Sequence, residues 1–316
     1  MSEERIREVA SARLNERVSD APQGRLIRGI ALDGAVRFVI AETSELVASV
    51  LQSHRPSPQG GIGLSRVLTA VGLLTPTLKN RHQIGLQING DGPLREIYCV
   101  GDSEGRLRIT VMNPEGSTET HTDRLAPAIG KGRLTMIKTL PSGEPYRGGV
   151  PLESGEIAED LSAYFLNSEQ SPSACGLGER LGEPEDTLAA GYLIQALPDA
   201  DDLALFTLET RLSELPPITE LFQRGGNLRE IAEALFDQDY ELLAEHRLSL
   251  HCDCERPRIA RILISLGVAE LERFIEEDGE VTLNCHFCMA KYHFSEEELR
   301  ALLLGAKARA EGRPLV

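Results

Sequence analysis

The sequence predicts an α+β fold: an N-terminal domain of mixed sheet and helix (residues 1–177), a helical acidic linker (178–247) and a small C-terminal α/β domain (248–316). Three observations predict it. The first 175 residues alternate short β-branched runs, cut by Gly, Pro, Asn and Asp turns, with stretches of helical period. Residues 176–250 then hold 16 acidic and 5 basic residues, most of the net charge of -16, and are interrupted by Gly and Pro. Finally, four of the six cysteines fall within 37 residues near the C-terminus, as two close pairs. The length of 316 residues suits about two domains at roughly 100–200 residues each.

Residues 27–32 and 35–41 are apolar runs joined by Asp33-Gly34, a hairpin by turn chemistry. Residues 44–54 have helical spacing. Arg55-Pro56-Ser57-Pro58-Gln59-Gly60-Gly61 predicts a loop, and 64–74 a second helix. Runs 83–88, 94–100 and 107–111 form an antiparallel meander, separated by Asn89-Gly90-Asp91-Gly92-Pro93 and Gly101-Asp102-Ser103-Glu104-Gly105. Residues 133–139 and 146–150 extend the β material. A helix over 157–166 follows, its acidic start suited to the positive end of the helix dipole.

From Cys175 the chain changes character. Gly176 to Pro184 reads as linker by its Gly, Pro and charge, and 191–197 as a strand. Leu203, Phe206, Leu212, Leu215, Leu221 and Phe222, then Ile231, Leu235 and Phe236, suggest helices. Their apolar faces must cover something, while excess like charge weakens the packing. Two readings stand: an ordinary helical subdomain, or a marginally stable segment built to let go.

Composition excludes several classes. With 41 % apolar and 26 % charged residues, this is globular material able to bury a core. A net charge of -16 argues against a general nucleic-acid binder, which needs basic surface, and against docking on anionic membrane. No apolar window approaches the roughly 20 residues of a membrane span. The N-terminus is mixed in charge from Glu3 onward and lacks the apolar core of a secretory signal. The expected compartment is the cytoplasm, where cysteines serve as metal ligands, redox centres or packed thiols rather than as a disulfide framework.

Cys252-Asp253-Cys254 and Cys285-His286-Phe287-Cys288 are separated by enough chain to fold a helix or two. Such pairs converge four thiolates on one tetrahedral ion, and Zn2+ favours four sulfurs at about 2.3 Å. The candidate metal ligands are therefore Cys252, Cys254, Cys285 and Cys288, with one Zn2+ per chain in the reduced state. A site closed by four thiolates has no open position for substrate, so it is structural or redox-active rather than hydrolytic. Any of His251, His286 and His293 could replace a cysteine, but with four thiolates available they are expected beside the site. Arg256, Arg258, Arg261 and Lys291 flank the ligands and would offset the excess negative charge; a place on a helix surface accounts for them equally. Residues 257–278 are helical by pattern, broken at Gly267, and 281–283 form a short strand. Ser295-Glu296-Glu297-Glu298 is a capping box opening a helix through Leu304. The ion thus staples a zinc-binding α/β domain of about fifty residues, too small to be robust alone.

These cysteine pairs at the C-terminus of a chain of this size resemble the redox-regulated heat-shock holdase family, the 33 kDa heat-shock proteins. The segments Gln87 to Leu94, Tyr146 to Leu152, Ala158 to Phe165, Gly191 to Gln195, Arg258 to Gly267 and Glu277-Asp278-Gly279 carry the similarity along nearly the whole chain. The resemblance implies an ATP-independent, redox-regulated chaperone that is folded and nearly inactive when reduced and zinc-bound. It implies that peroxide or hypochlorous acid, with unfolding stress, pairs Cys285 with Cys288 first and Cys252 with Cys254 later. Zinc leaves, the C-terminal domain melts and the linker loosens. Apolar surface then captures unfolding client proteins in a homodimer, and the N-terminal domain supplies the dimerisation and client-binding core. Thioredoxin or glutaredoxin systems and an ATP-driven foldase would reset it. The client surface expected here combines helices over 203–222 with the apolar β face they cover.

Two features lie outside the family pattern: the acidic connector is somewhat long, and Pro257 follows Cys254 by three residues, where it suits a first helical turn. Cys99 and Cys175 are expected as packed or free thiols, Cys175 being the readier side reactor. Gly60-Gly61-Ile62-Gly63 lacks the strand–turn–helix setting of a phosphate loop and marks a helix start instead. Two other functions compete, a zinc-ribbon nucleic-acid module and a thiol–disulfide oxidoreductase using Cys285 and Cys288. The first needs a basic face; the second needs its Cys-x-x-Cys to open a helix in a βαβ unit. No catalytic residues are expected, and the chain is read as a non-enzyme.

Overall fold

The computed structural model describes residues 21–79, 81–118, 123–139, 145–198, 200–223 and 227–310; the N-terminal stretch read above for targeting lies largely outside them. The chain divides between His251 and Cys252 into two compact units. No helix among the described residues is long and apolar enough to cross a membrane.

The first unit opens with the expected hairpin, β1 (Gln23–Ala31) and β2 (Val36–Glu42). Gly34 in its turn has φ +85°, a conformation that glycine adopts without a Cβ penalty. Helix α1 (Ser44–His54) follows, then α2 (Pro58–Leu74). The loop expected through Gly61 is in fact the start of α2: Ser57 is the N-cap and accepts from the Gly60 N–H at 3.1 Å. The glycines here serve close packing, since a Cβ on Gly63 would lie 2.4 Å from Ile97.

Strands β3 (Gln83–Gly90), β4 (Glu96–Asp102) and β5 (Arg106–Val111) form the expected meander. A short helix α3 (Ala126–Ile129) leads to β6 (Gly132–Thr139), β7 (Tyr146–Pro151) and α4 (Ala158–Glu169). Then come β8 (Ser173–Arg180), β9 (Leu188–Ala196), α5 (Asp202–Glu214), α6 (Ile218–Gln223), α7 (Leu228–Phe236) and β10 (Tyr240–Leu250). Two of these correct the sequence reading. The stretch beginning at Gly176 is not linker at first: through Arg180 it is strand, paired antiparallel with β9, and Gly176 leaves room for the Tyr192 ring, 2.4 Å from where a Cβ would stand. β10 is the second: only Leu248 along it is fully buried, and the alternation of Tyr240–Glu245 breaks at His246 and Arg247, so the sequence does not mark it as a strand.

The ten strands form one sheet in the order β7-β6-β3-β4-β5-β10-β1-β2-β9-β8, antiparallel except where β10 runs parallel to β5. Strands β1, β2 and β9 are buried on both faces. Leu26, Val39, Ala41 and Leu193 share the main core with α1 and α2, while Ile27, Phe38, Ile40 and Ile194 pack under α5, α6 and α7. Phe236 of α7 stacks on Phe38 with ring centroids 4.8 Å apart.

The second unit contains α8 (Arg256–Leu266), α9 (Val268–Glu277), the hairpin β11 (Glu280–Asn284) and β12 (Lys291–Ser295), and α10 (Glu296–Ala310). Gly267 separates α8 from α9 as expected, with φ +96°. Among the described residues six apolar side chains are buried, Ile259, Leu263, Leu271, Phe294, Leu299 and Ala306, with others partly buried around them. Such a core is marginal for an isolated domain of this size.

Candidate metal centre

The four predicted cysteines come together, each placed by local structure. Cys252 and Cys254 immediately precede α8, whose N-cap is Glu255 and whose first turn contains Pro257. Cys285 and Cys288 lie in the loop of the β11–β12 hairpin. Its turn is closed by the Cys285 N–H donating to the Ala290 carbonyl (2.9 Å) and the Met289 N–H donating to the Cys285 carbonyl (2.8 Å). Met289 takes φ +59° to complete the reversal.

All four Sγ atoms lie within 4.8 Å of one another. Cys252 Sγ is 3.6 Å from Cys285 Sγ, and Cys254 Sγ is 3.1 Å from Cys288 Sγ. A tetrahedron with metal–sulfur bonds of about 2.3 Å has sulfur–sulfur edges of about 3.8 Å, so four soft donors at this spacing fit one such ion. None of the six cysteines is in a disulfide.

The thiols of Cys252, Cys254 and Cys288 shift one another's ionisation. Burial resists ionisation of Cys254, but hydrogen bonds from Tyr292, Cys288, Cys252 and Cys285 overcome it and bring this thiol down to about 7. Cys288 is pushed up to about 11 by burial and by donating to Cys254, and Cys252 is raised further by burial and by hydrogen bonds to Cys254 and Cys285. One thiolate forms readily, and its charge opposes the next. A dication at the centre removes that opposition, a second respect in which the donor set fits a metal.

Tyr292 is the residue that sequence reasoning missed. Its hydroxyl donates to the Cys254 carbonyl and lies 3.3 Å from Cys254 Sγ. The period-2 alternation of β12 turns Tyr292 and Phe294 inward together, and that pattern was the available signal.

The other candidates fall outside the cluster. His293 is on the outer side of β12, with Nδ1 3.3 Å from Thr282 Oγ1 and Nε2 3.7 Å from Glu280. His251 donates its backbone N–H to the Leu107 carbonyl at 2.9 Å within the first unit. His286 contributes no atom to the group of four. Arg256 is engaged in holding the unit together: it donates to the His293 carbonyl (2.7 Å) and Glu298 (2.5 Å) and lies 4.4 Å over the Phe294 ring. Arg258 reaches back toward Asp253, 3.9 Å from its carboxylate. Arg261 and Lys291 are exposed. The predicted capping box is present, with the Ser295 N–H donating to Glu298 at 3.0 Å and the Glu298 N–H to Ser295 Oγ at 3.4 Å.

Cys99 is wholly buried in the main core, and burial pushes its thiol far up. Cys175, half-buried in β8, is pushed up to about 12 by burial and the nearby Glu159. Neither is a ready thiolate. The Cys-x-x-Cys lies in a hairpin loop, not at the start of a helix, so the setting a thioredoxin-like oxidoreductase needs is missing from this motif.

Comparison with known proteins places this chain among relatives. The family model described as "Hsp33 protein" matches residues 24–295. A 33 kDa chaperonin of Alkaliphilus metalliredigens is 39 % identical over 286 residues, covering 88 % of this chain and 98 % of its own. That of Geobacter sulfurreducens is 39 % identical over 282 residues, 88 % and 94 %. The crystal structure of the 33 kDa chaperonin of Thermotoga maritima superimposes with a TM-score of 0.82 at 32 % identity, over 91 % of this chain and 99 % of that one.

Proposed function

This chain belongs to the Hsp33 family of chaperones, and from that premise we propose that it is a redox-regulated, ATP-independent holdase. It captures unfolding proteins when oxidants dismantle its four-cysteine centre. The observation that carries the reading is the convergence of four thiols within 4.8 Å as the main tie of a unit with a very small core. When bound, zinc would hold these four thiolates together and supply folding free energy to the unit. Cys252, Cys254, Cys285 and Cys288 are the proposed ligands.

None of the four ligands is buried, and Cys288, in the hairpin loop, is exposed, so a peroxide can reach the centre. A thiolate of the Cys285–Cys288 pair attacks one peroxide oxygen; the O–O bond breaks and water leaves after proton uptake. The second thiolate then attacks the sulfenic sulfur, forming the S–S bond and releasing hydroxide. Two electrons pass from sulfur to oxygen, and two donors are lost. In the intact cluster the shortest Sγ separations run between the pairs, Cys252 to Cys285 and Cys254 to Cys288. Cys285 and Cys288 share one hairpin loop and pair there first; once the unit melts, Cys252 and Cys254 stay neighbours in the chain and pair with each other.

The functional partition we propose has residues 1–177 as the dimerisation and client core, 178–247 as the region that loosens, and 248–316 as the switch. Its setting is the cytoplasm, with thiol-reducing systems and an ATP-driven foldase for reset. The test is suppression of client aggregation by the full chain, reduced and after peroxide at mild heat, with the disulfides mapped by mass. Activity only after oxidation, with Cys285–Cys288 formed first, supports the reading; equal activity in both states contradicts it.

A further inference from the structure

We propose that β10 is an internal stand-in for client, and that the slot it occupies between β1 and β5 takes up an extended segment of an unfolding polypeptide by strand addition. The proposal rests on the redox-release reading above and names how the client is held.

β10 lies mid-sheet, anchored by its main chain along β1 and by side chains only near its ends, Tyr240 and Leu242 against the second core and Leu248 and Leu250 against the main core. It pairs with β1 through nine positions, from Gln23 with Ser249 to Ala31 with Tyr240, but with β5 through only Ser249–Arg106 and Leu250–Leu107. Leu248 alone is fully buried; Glu241, Leu243, Glu245, His246 and Arg247 are exposed, Leu243 to 53 %. A central strand whose middle side chains are largely exposed leaves that part of the slot with little sequence preference. Recognition by main-chain hydrogen bonds selects an extended backbone and tolerates many side chains, as binding diverse unfolded clients requires.

The slot is shaped for a bare backbone. A Cβ on Gly29 would lie 2.2 Å from the Glu241 carbonyl oxygen, beside the register shift in the β1–β10 ladder, and a Cβ on Gly105 would lie 2.4 Å from the Arg247 carbonyl oxygen. Glycines thus line the slot from both sides.

β10 is also placed to leave. It ends two residues before Cys252, so melting of the second unit frees its C-terminal end. The rest of the sheet has another tie: α2 packs on β4 and β5 on one side of the slot and on β2, β8 and β9 on the other, within one continuous core. Departure of β10 would leave β1 with a row of unpaired N–H and C=O groups, which seek a strand. If α5–α7 loosen as well, Ile27, Phe38 and Ile40 beside that edge would receive apolar client side chains.

Hydrogen exchange on the full chain tests this, before and after peroxide, alone and with a heat-unfolding client. The amides of β1 that face β10 should exchange at least tenfold faster after oxidation and regain protection with client, while those facing β2 serve as internal control. A synthetic peptide of residues 240–250, and one of scrambled order, should both compete with client; the same peptide N-methylated at alternate amides should not. Client capture with β1 still protected, or equal competition by the N-methylated peptide, overturns the strand slot and leaves the redox reading standing. No capture after oxidation overturns the redox reading itself.

Discussion

Tyr292 illustrates how much of the centre is decided one atom beyond the ligands. Its hydroxyl ties the Cys254 carbonyl and sulfur to β12, and partners of this kind orient ligands and strengthen the site, with losses of about 10–100-fold in affinity on removal. Tyr292→Phe should therefore weaken metal binding by about tenfold, measured by competition with a chelator; unchanged affinity contradicts this role. Cys99 and Cys175 behave oppositely. Their thiols are held up by burial, so a chain with Cys175→Ala should lose its four switch thiols to peroxide at the parental rate, counted by thiol titration. A slower loss would mean that Cys175 takes part. At this scale the cysteines were legible because ligands that share a metal through short motifs announce themselves in spacing. Tyr292 was not, because its role depends on the hairpin folding back onto the first pair.

At the scale of elements, the packing of β8 onto the core depends on one ion cluster. Arg66 of α2, largely buried, donates to Glu156 (2.5 Å) and with two nitrogens to Glu179 of β8 (2.8–3.1 Å), and Glu156 also accepts from the Leu125 and Ala126 N–H groups. Arg66→Met leaves Glu179 without its cation and Glu156 with only the exposed Arg124 beside it, and should cost about 3 kcal/mol, read from the denaturant midpoint of the first unit. Burial opposes ionisation of Glu156, yet the two backbone donors and Arg66 outweigh it and hold this carboxyl below its usual range. A depressed carboxyl stabilises the fold above its unfolded-state value of about 4.3 and ceases to do so as pH falls through its lower folded-state value. Glu156→Gln should accordingly flatten the acid limb of stability against pH; an identical limb in both proteins contradicts the assignment. The same strand shows why residues 176–180 read as linker in the sequence. Gly176 and Gly178 look like punctuation until Tyr192 and Ile218 are found filling the space above them. β10 is hidden for a related reason: most of its side chains are not buried, and its place in the sheet is set largely by main-chain pairing with β1, which hydrophobic periodicity does not record.

For the whole molecule, two units with unequal cores imply unequal dependence on the centre. Chelation at neutral pH should unfold residues 252–310 and, by freeing the end of β10, lower the thermal transition of the first unit without abolishing it, seen as two separable steps in calorimetry; a single transition lost as a whole would contradict this. Within the first unit, α5 fully buries only Leu208 and α6 only Ile218, whereas α7 buries Ile231, Ala232, Leu235 and Phe236. Leu203 and Phe206 are more than 60 % exposed. This gradient agrees with a segment that loosens from α5 and α6 first. The α+β class, the meander and the four-cysteine cluster were legible because local turn chemistry and cysteine spacing set them. The joining of sheet and connector was not, since it is made by long-range pairing of strands with weak patterns. The central claim is that the four cysteines are a switch and not only a staple. It is tested most directly in one sample treated with peroxide at mild heat, following zinc release, free thiols and suppression of client aggregation together. The account predicts one zinc released per chain as four thiols disappear, with anti-aggregation activity rising in step. Zinc that stays bound through oxidation, with no activity gained, would contradict it.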